Sequence, residues 1–164
     1  MAFDTSVFRT VLGQFATGVA IITTTDPTGE PVGLTVNSFT SLSLTPPLVL
    51  FCLARTAGSH PLFLAAPAFA VNILAADQQT LSNRFAGREG DRWQETRWQA
   101  GTATGAPLLA GCLASLECRR HSVLEGGDHS ILVGEVAAMT ASPSSETAGP
   151  LLYYGGTYRT LAGS

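Results

Sequence analysis

The feature that most constrains the fold is a long hairpin signal: CLASLECRRHSVL and HSILVGEVAAMTAS flank the turn EGGD. Gly126-Gly127 permits a tight reversal, and strands joined this way run antiparallel. Shorter β-prone runs precede the hairpin. VAIITTTD reads as a strand followed by the turn DPTGEP, and LVLFCLA and FAVNIL read as buried strands. The helices are few and short. DTSVFRTVLGQFATG is expected to be the first, capped by Asp4 or Thr5, striped by Phe8, Val11, Leu12 and Phe15, and ended by Gly18. GSHPLFLAA is the second, with Ser59 as cap and Pro61 in its first turn. DQQTLSNRFAG is the third, capped by Asp77 and closed by Gly87. The segment from Arg88 to Pro107 reads as irregular, with Trp93 and Trp98 as anchors. PLLYYGGTYRTL reads as one short strand and a tail. This pattern predicts a single, mainly β domain over residues 1–164, a closed or nearly closed antiparallel barrel.

Composition narrows the function classes. Hydrophobic residues make up 45% and charged residues 13%, so the surface is weakly charged and a homo-oligomer is expected. A net charge of −3 argues against nucleic acid and anionic membrane as partners. No apolar run is long enough to span a bilayer, and MAFDTSVFRT lacks a signal core. Cys52, Cys112 and Cys118 are odd in number and lack metal-ligand spacing. That predicts reduced thiols, no metal site and a cytoplasmic protein. Apart from the histidines every basic side chain is an arginine, a residue that keeps its charge when partly buried and grips phosphate with paired donors.

LTVNSFTSLSLTPPLVLFCLAR, Leu34 to Arg55, bears most on function. It reads as a strand up to Leu44, broken by TPP and followed by a buried strand. With one wet face, polar and apolar residues would alternate. Instead Thr35, Asn37, Ser41 and Ser43 would share one face with Phe39, while Ser38 and Thr40 would share the other with Val36, Leu42 and Leu44. Two readings stand: an edge strand wetted by solvent, or a strand whose hydroxyls and backbone meet a neutral, planar, polar ligand. ARTAGSHP carries Arg55 into a small-residue loop ending at Ser59, where free N–H groups, a helix start and an arginine form a candidate anion site; a solvated arginine in a turn is the alternative. Arg84 serves either the C-terminal dipole of its helix or the same anion. After the Gly-Gly turn, Asp128 and His129 stand at the mouth of a strand, and His129 is either a core histidine or a functional one. No metal-binding histidine pair, nucleophile elbow, P-loop or GxGxxG fingerprint occurs.

FRTVLGQFATGVAIITT, GLTVNSFTSLSLTPPLVLFCLA, FAVNILAADQQTLSNRFA, GDHSILVGEV and PLLYYGGTYRTL follow one another in that order. Together they resemble the small flavin reductases of two-component flavin-dependent monooxygenase systems, from about Phe8 to Leu161. The resemblance implies a Greek-key antiparallel split barrel with a few short helices, usually a homodimer. It implies reduction of FMN or FAD by NADH or NADPH, the reduced flavin serving a separate monooxygenase. It places Thr35, Val36, Asn37 and Ser38 along the flavin ring and Ser41 and Leu42 along the ribityl chain. Cys52, Leu53 and Ala54 would back the ring, with Arg55, Ser59, Arg84 and Phe85 around the phosphate. Asp128 and His129 would face the nicotinamide, His129 as a positioning residue, since hydride transfer between cofactors requires no strong acid or base. Three alternatives remain: a non-catalytic flavin-binding carrier or sensor on the same barrel, an oxidase of a pyridoxal-type phosphate, and a lipocalin-like carrier. The polar strand and the arginines argue against an apolar cargo for the last.

Overall fold

The structure is a computed structural model that describes residues 3–87, 90–143 and 148–161. In chain order it contains α1 (Thr5–Leu12), β1 (Thr17–Gly18), β2 (Ala20–Thr25), β3 (Pro31–Val36), β4 (Thr40–Leu44), β5 (Pro47–Ala54), α2 (His60–Ala65) and β6 (Ala68–Ile73). A single 3₁₀ turn, Ala76–Gln78, leads into α3 (Gln79–Ala86). Then follow β7 (Trp98–Ala100), β8 (Pro107–Leu109), β9 (Ala114–Gly126), β10 (His129–Ala141), β11 (Leu152–Tyr154) and β12 (Thr157–Arg159).

The expected hairpin is β9 and β10, 13 residues each. Register shifts between Val133 and Gly134 and between Val136 and Ala138 bend it. At Gly134 a Cβ would stand 2.4 Å from the Phe69 ring, so only glycine lets the strand curl over that core residue. The hairpin lies in the middle of a seven-stranded sheet ordered β3-β2-β6-β9-β10-β5-β4, in which every pair is antiparallel. Its edges, β3 and β4, are consecutive in the chain and joined by Asn37–Phe39. The barrel therefore stays open at those three residues, as a split barrel does.

Two apolar clusters hold the sheet. Ala20, Ile22, Phe51, Leu53, Phe69, Val71 and Leu132 fill the barrel. Val19, Ile21, Leu74, Phe85, Leu109 and Leu151 pack outside it. β2 alternates between the two, which is why its residues Ala20 to Thr24 are all buried. Buried Asn72 is fully satisfied: its amide donates to the Ile21 carbonyl and Thr23 Oγ1, both at 3.1 Å. Its Oδ1 accepts from the Leu109 N–H at 2.9 Å and Ser115 Oγ at 3.1 Å. One side chain thus pins β2, β6, β8 and β9 together.

Several expected elements change. Asp4 caps α1 through the Ser6 and Val7 N–H groups, yet the helix stops at Leu12, with Gly13 and not Gly18 at its end. Its apolar stripe is unburied: Val11 is 61% and Phe15 78% exposed. The strand read from Leu34 to Leu44 is two strands, because the chain leaves the sheet at Asn37–Phe39. Asp77 lies within the 3₁₀ turn and caps nothing; the Gln78 side chain accepts the Ala75 N–H instead, at 3.0 Å. Ser59 takes the cap position of α2 without a side-chain cap bond, and Pro61 sits in the first turn. The segment expected to be irregular contains β7, which pairs with β8; its first two residues, Arg88 and Glu89, lie outside the described residues. The final strand is a hairpin, β11 with β12, that also pairs with β1. Among the described residues no helix is long and apolar enough to cross a membrane.

All three cysteines are free. Burial pushes the Cys112 thiol up to about 11 and the Cys118 thiol up to about 12. A folded pKa above the unfolded one favours the fold while the thiols stay protonated. That contribution is full below the ordinary thiol pKa and is lost as pH rises through 11 to 12. At pH 8, thiol titration of the native protein should modify half-buried Cys52 alone, and Cys112 and Cys118 only on unfolding. Rapid modification of all three would contradict the burial.

Candidate functional site at the barrel split

The split gathers the polar residues. β4 accompanies β5 only as far as Thr40 opposite Leu50. Beyond that point β5 keeps β10 on one side, with Leu53 opposite Ser130 and Ala54 opposite His129, and has no strand on the other. A side chain takes the strand's place. Ser38 Oγ accepts from the Cys52 N–H at 3.0 Å and donates to the Cys52 carbonyl at 3.1 Å. The exposed edge is thereby satisfied without being covered. The Ala54 carbonyl then accepts from the Ala57 N–H at 3.0 Å and opens the loop to Ser59.

On the other side of the split, α3 packs against β3. Thr35 Oγ1 donates to the Ser82 carbonyl at 2.7 Å, and Ser82 Oγ lies 2.8 Å from the Tyr158 hydroxyl. Gly33 admits Phe85, whose ring would be 2.7 Å from a Cβ placed there. Phe85 meets Trp93 edge to face with centroids 4.9 Å apart.

Three adjoining cavities run along Leu34–Thr40. The first, of about 450 Å³, lies between Thr35, Ala54, the loop to Ser59, Phe85 and Arg92. It shares Thr35 and Ala86 with a second, of about 240 Å³, walled by Val36, Asn37, Tyr153 and Tyr158. Asn37 and Tyr153 also belong to a third, of about 1080 Å³, which reaches Ser38, Phe39, Phe15 and Arg9. The result is one elongated groove with a neutral, hydroxyl-bearing wall. A separate cavity of about 360 Å³ by Arg97, Trp98, Cys112 and Ser115 shares no wall with it.

The expected site residues sort by where their strands point them. Thr35, Val36, Asn37, Ser38, Ala54, Ser59 and Phe85 line the groove. Asn37 is exposed and not the buried amide that a continuous strand would make it. Leu53 is fully buried in the barrel core, and only its main chain can back a ligand. Cys52, half-buried on the other face of β5, is tied to Ser38. Ser41 and Leu42 stand on exposed β4, outside the three cavity walls. Arg55 lies 2.9 Å from Glu125 and Arg84 lies 3.0 Å from Glu95, so each meets a carboxylate before any anion arrives. Both pairs are exposed enough to contribute at most about 1 kcal/mol and so to yield to a better partner.

Arg92, Tyr153 and Tyr158 line the groove in addition to the residues expected from the sequence. Arg92 lines the first cavity and donates to the Gly33 carbonyl at 3.4 Å and to the Gly87 carbonyl. It stands in a segment without periodicity, where nothing in the sequence aims a side chain. The tyrosines carried a readable signal: Gly155-Gly156 turns the hairpin that pairs Tyr153 with Tyr158, centroids 5.5 Å apart.

His129 opens β10 at the rim, its side chain 42% exposed, with Nδ1 2.7 Å from Asp128 Oδ1. The hydrogen bond from the imidazole, and secondly its charge, hold the Asp128 carboxyl below the usual carboxylate range. Ser130 and Leu132 take the buried positions beside it, and His60 Nε2 lies 3.0 Å from Ser130 Oγ. His129 is therefore a rim residue and not a core one.

A family model described as a flavin reductase like domain matches residues 12–162. The NADH-dependent FAD reductase of Streptomyces globisporus is 42% identical over 163 residues, 97% of this chain and 87% of that one. The reductase subunit of a flavin-dependent monooxygenase from Rhodococcus jostii is 44% identical over 157 residues, 96% of this chain and 78% of that one. The solved NADH:FAD oxidoreductase of Streptomyces globisporus, in complex with NAD and FAD fragments, superposes with a TM-score of 0.91 at 42% identity, covering 98% of this chain and 94% of that one.

Ser38→Ala removes both bonds to Cys52 and leaves the edge of β5 to water. Stability should fall by about 1–2 kcal/mol, and the Cys52 amide should exchange faster with solvent. An unchanged melting curve would show that the hydroxyl does not hold the split.

Proposed function

The chain belongs to the flavin reductase like family, and from that membership we propose that it reduces FMN or FAD with NADH or NADPH and supplies the reduced flavin to a separate monooxygenase. The observation that carries this reading is the groove at the barrel split, whose uncharged wall presents the Asn37 amide as donor and acceptor and the remaining hydroxyl lone pairs of Thr35 and Ser38 as acceptors. That is what a neutral heterocycle requires.

When bound, the flavin supplies the ring that accepts a hydride and the nicotinamide supplies the hydride. The chain's residues bind and orient. Thr35 to Ser38 form the long wall. The main chain of Cys52 to Ala54 backs it, stiffened by Ser38. Ser59, with Arg55 and Arg84 once they leave Glu125 and Glu95, serves the anionic end. His129, opposite Ala54, positions the nicotinamide at the rim, with Asp128 fixing its imidazole. The relative from Rhodococcus jostii, named as a monooxygenase reductase subunit, supports a monooxygenase as the recipient. Three free thiols support a cytoplasmic setting.

We also read the protein as a homodimer. Phe3, Val11 and Phe15 expose 72%, 61% and 78% of their surface around α1 and beside the widest cavity, a patch that a second copy would cover. An interface of this kind buries over roughly 2,000 Å². Sedimentation at micromolar concentration should give twice the 17.1 kDa chain mass; a lone monomer would refute the dimer.

NADH should be oxidised when FMN or FAD is added and not without flavin. Tight flavin binding with no NADH or NADPH oxidation would make the protein a carrier or sensor instead. In that assay His129→Ala should raise the KM for NADH or slow hydride transfer by about one to two decades, with flavin affinity nearly unchanged. Normal kinetics in a destabilised variant would remove His129 from the site.

A further inference from the structure

Beyond the anion end of the groove another cavity opens. It measures about 390 Å³ and is walled by Pro31, Val32, Leu62, Asp91 and Trp93. Gly58, Ser59 and Arg92 belong to its wall and to the wall of the 450 Å³ cavity, so the two spaces meet at one guanidinium. Arg55 and Arg84 are paired with carboxylates. Arg92 is different. Its contacts are the Gly33 and Gly87 carbonyls, and among the described residues no carboxylate lies within ion-pair distance of it. A guanidinium carries five N–H donors, so donors remain for an anion at the junction.

A mononucleotide ends at its phosphate and leaves the second cavity unused. A dinucleotide continues through a second phosphate into ribose and adenine. The walls suit that extension. Trp93, held edge to face by Phe85 and by Trp98 at 5.8 Å, offers a fixed aromatic surface for a base. Val32 and Leu62 are apolar. Asp91 accepts the Trp93 N–H through Oδ1 at 2.8 Å and has its second oxygen for a sugar hydroxyl. We propose that this chain selects FAD over FMN, with Arg92 on the diphosphate and the Trp93 cavity on the adenosine. The proposal rests on the flavin reading above.

Calorimetric titration of the protein with riboflavin, FMN and FAD tests it, with ADP as a competing probe. FAD should bind about tenfold or more tightly than FMN, and ADP should displace FAD but not riboflavin. Arg92→Gln should weaken FMN and FAD by about tenfold or more and riboflavin much less. Trp93→Leu should bring FAD down towards FMN. Equal affinity for FMN and FAD, or no displacement of FAD by ADP, would overturn the proposal, as would equal losses of riboflavin and FAD in Arg92→Gln. Should either variant fail to fold, the comparison of the three flavins and the ADP competition on the unaltered protein decide alone. NADH oxidation separates the two levels. FAD preference without oxidation of NADH by any flavin removes the reductase reading and keeps the FAD site; oxidation with indifferent flavin affinities does the reverse.

Discussion

The Ser38 hydroxyl bonds both polar groups of the Cys52 main chain, and the site is arranged around that contact. An antiparallel barrel with a free edge invites either closure or a foreign strand. Here β3 and β4 are consecutive and could have continued as one strand, but the chain leaves the sheet at Asn37–Phe39. One hydroxyl then does the work of a strand over the length of one residue, and the space beside it remains available to a ligand. Thr35 to Ser38 line that space, whereas Ser41 and Ser43 belong to the solvent-exposed edge strand β4, outside the groove walls.

The groove's chemistry follows from which groups are already satisfied. Thr35 is bonded to Ser82, Ser38 to Cys52, and Ser82 to Tyr158. These bonds fix the wall before a ligand arrives, and preorganised positioning is what a reaction between two cofactors needs from a protein. Charge is kept to the ends. Arg92 stands in the first cavity by the loop to Ser59 and Arg9 in the third, while Asp128 and His129 stand at the opening of β10, outside the three cavity walls.

Much of this was readable in the sequence, unevenly. The β9–β10 hairpin was plain because a Gly-Gly turn and β-branched runs agree on one structure. Asp4 was plain as a cap because capping is local. The break at Asn37–Phe39 was not, since no proline or glycine marks it and it is imposed by Cys52, distant in the chain. The same tertiary dependence hid Arg92, which Gly33 and Gly87 hold in place. It also made Arg55 look unpaired, because Glu125 reaches it only across the fold. The quoted motifs carried the family likeness without any of these contacts.

Amide hydrogen exchange across the whole chain, with and without FMN, bears most directly on the claim that the split is the flavin site. The account predicts slowed exchange in residues 34–38, 52–59 and 84–87, and little change around the separate cavity by Trp98 and Cys112. Protection at that separate cavity, with residues 34–38 unaffected, would contradict it.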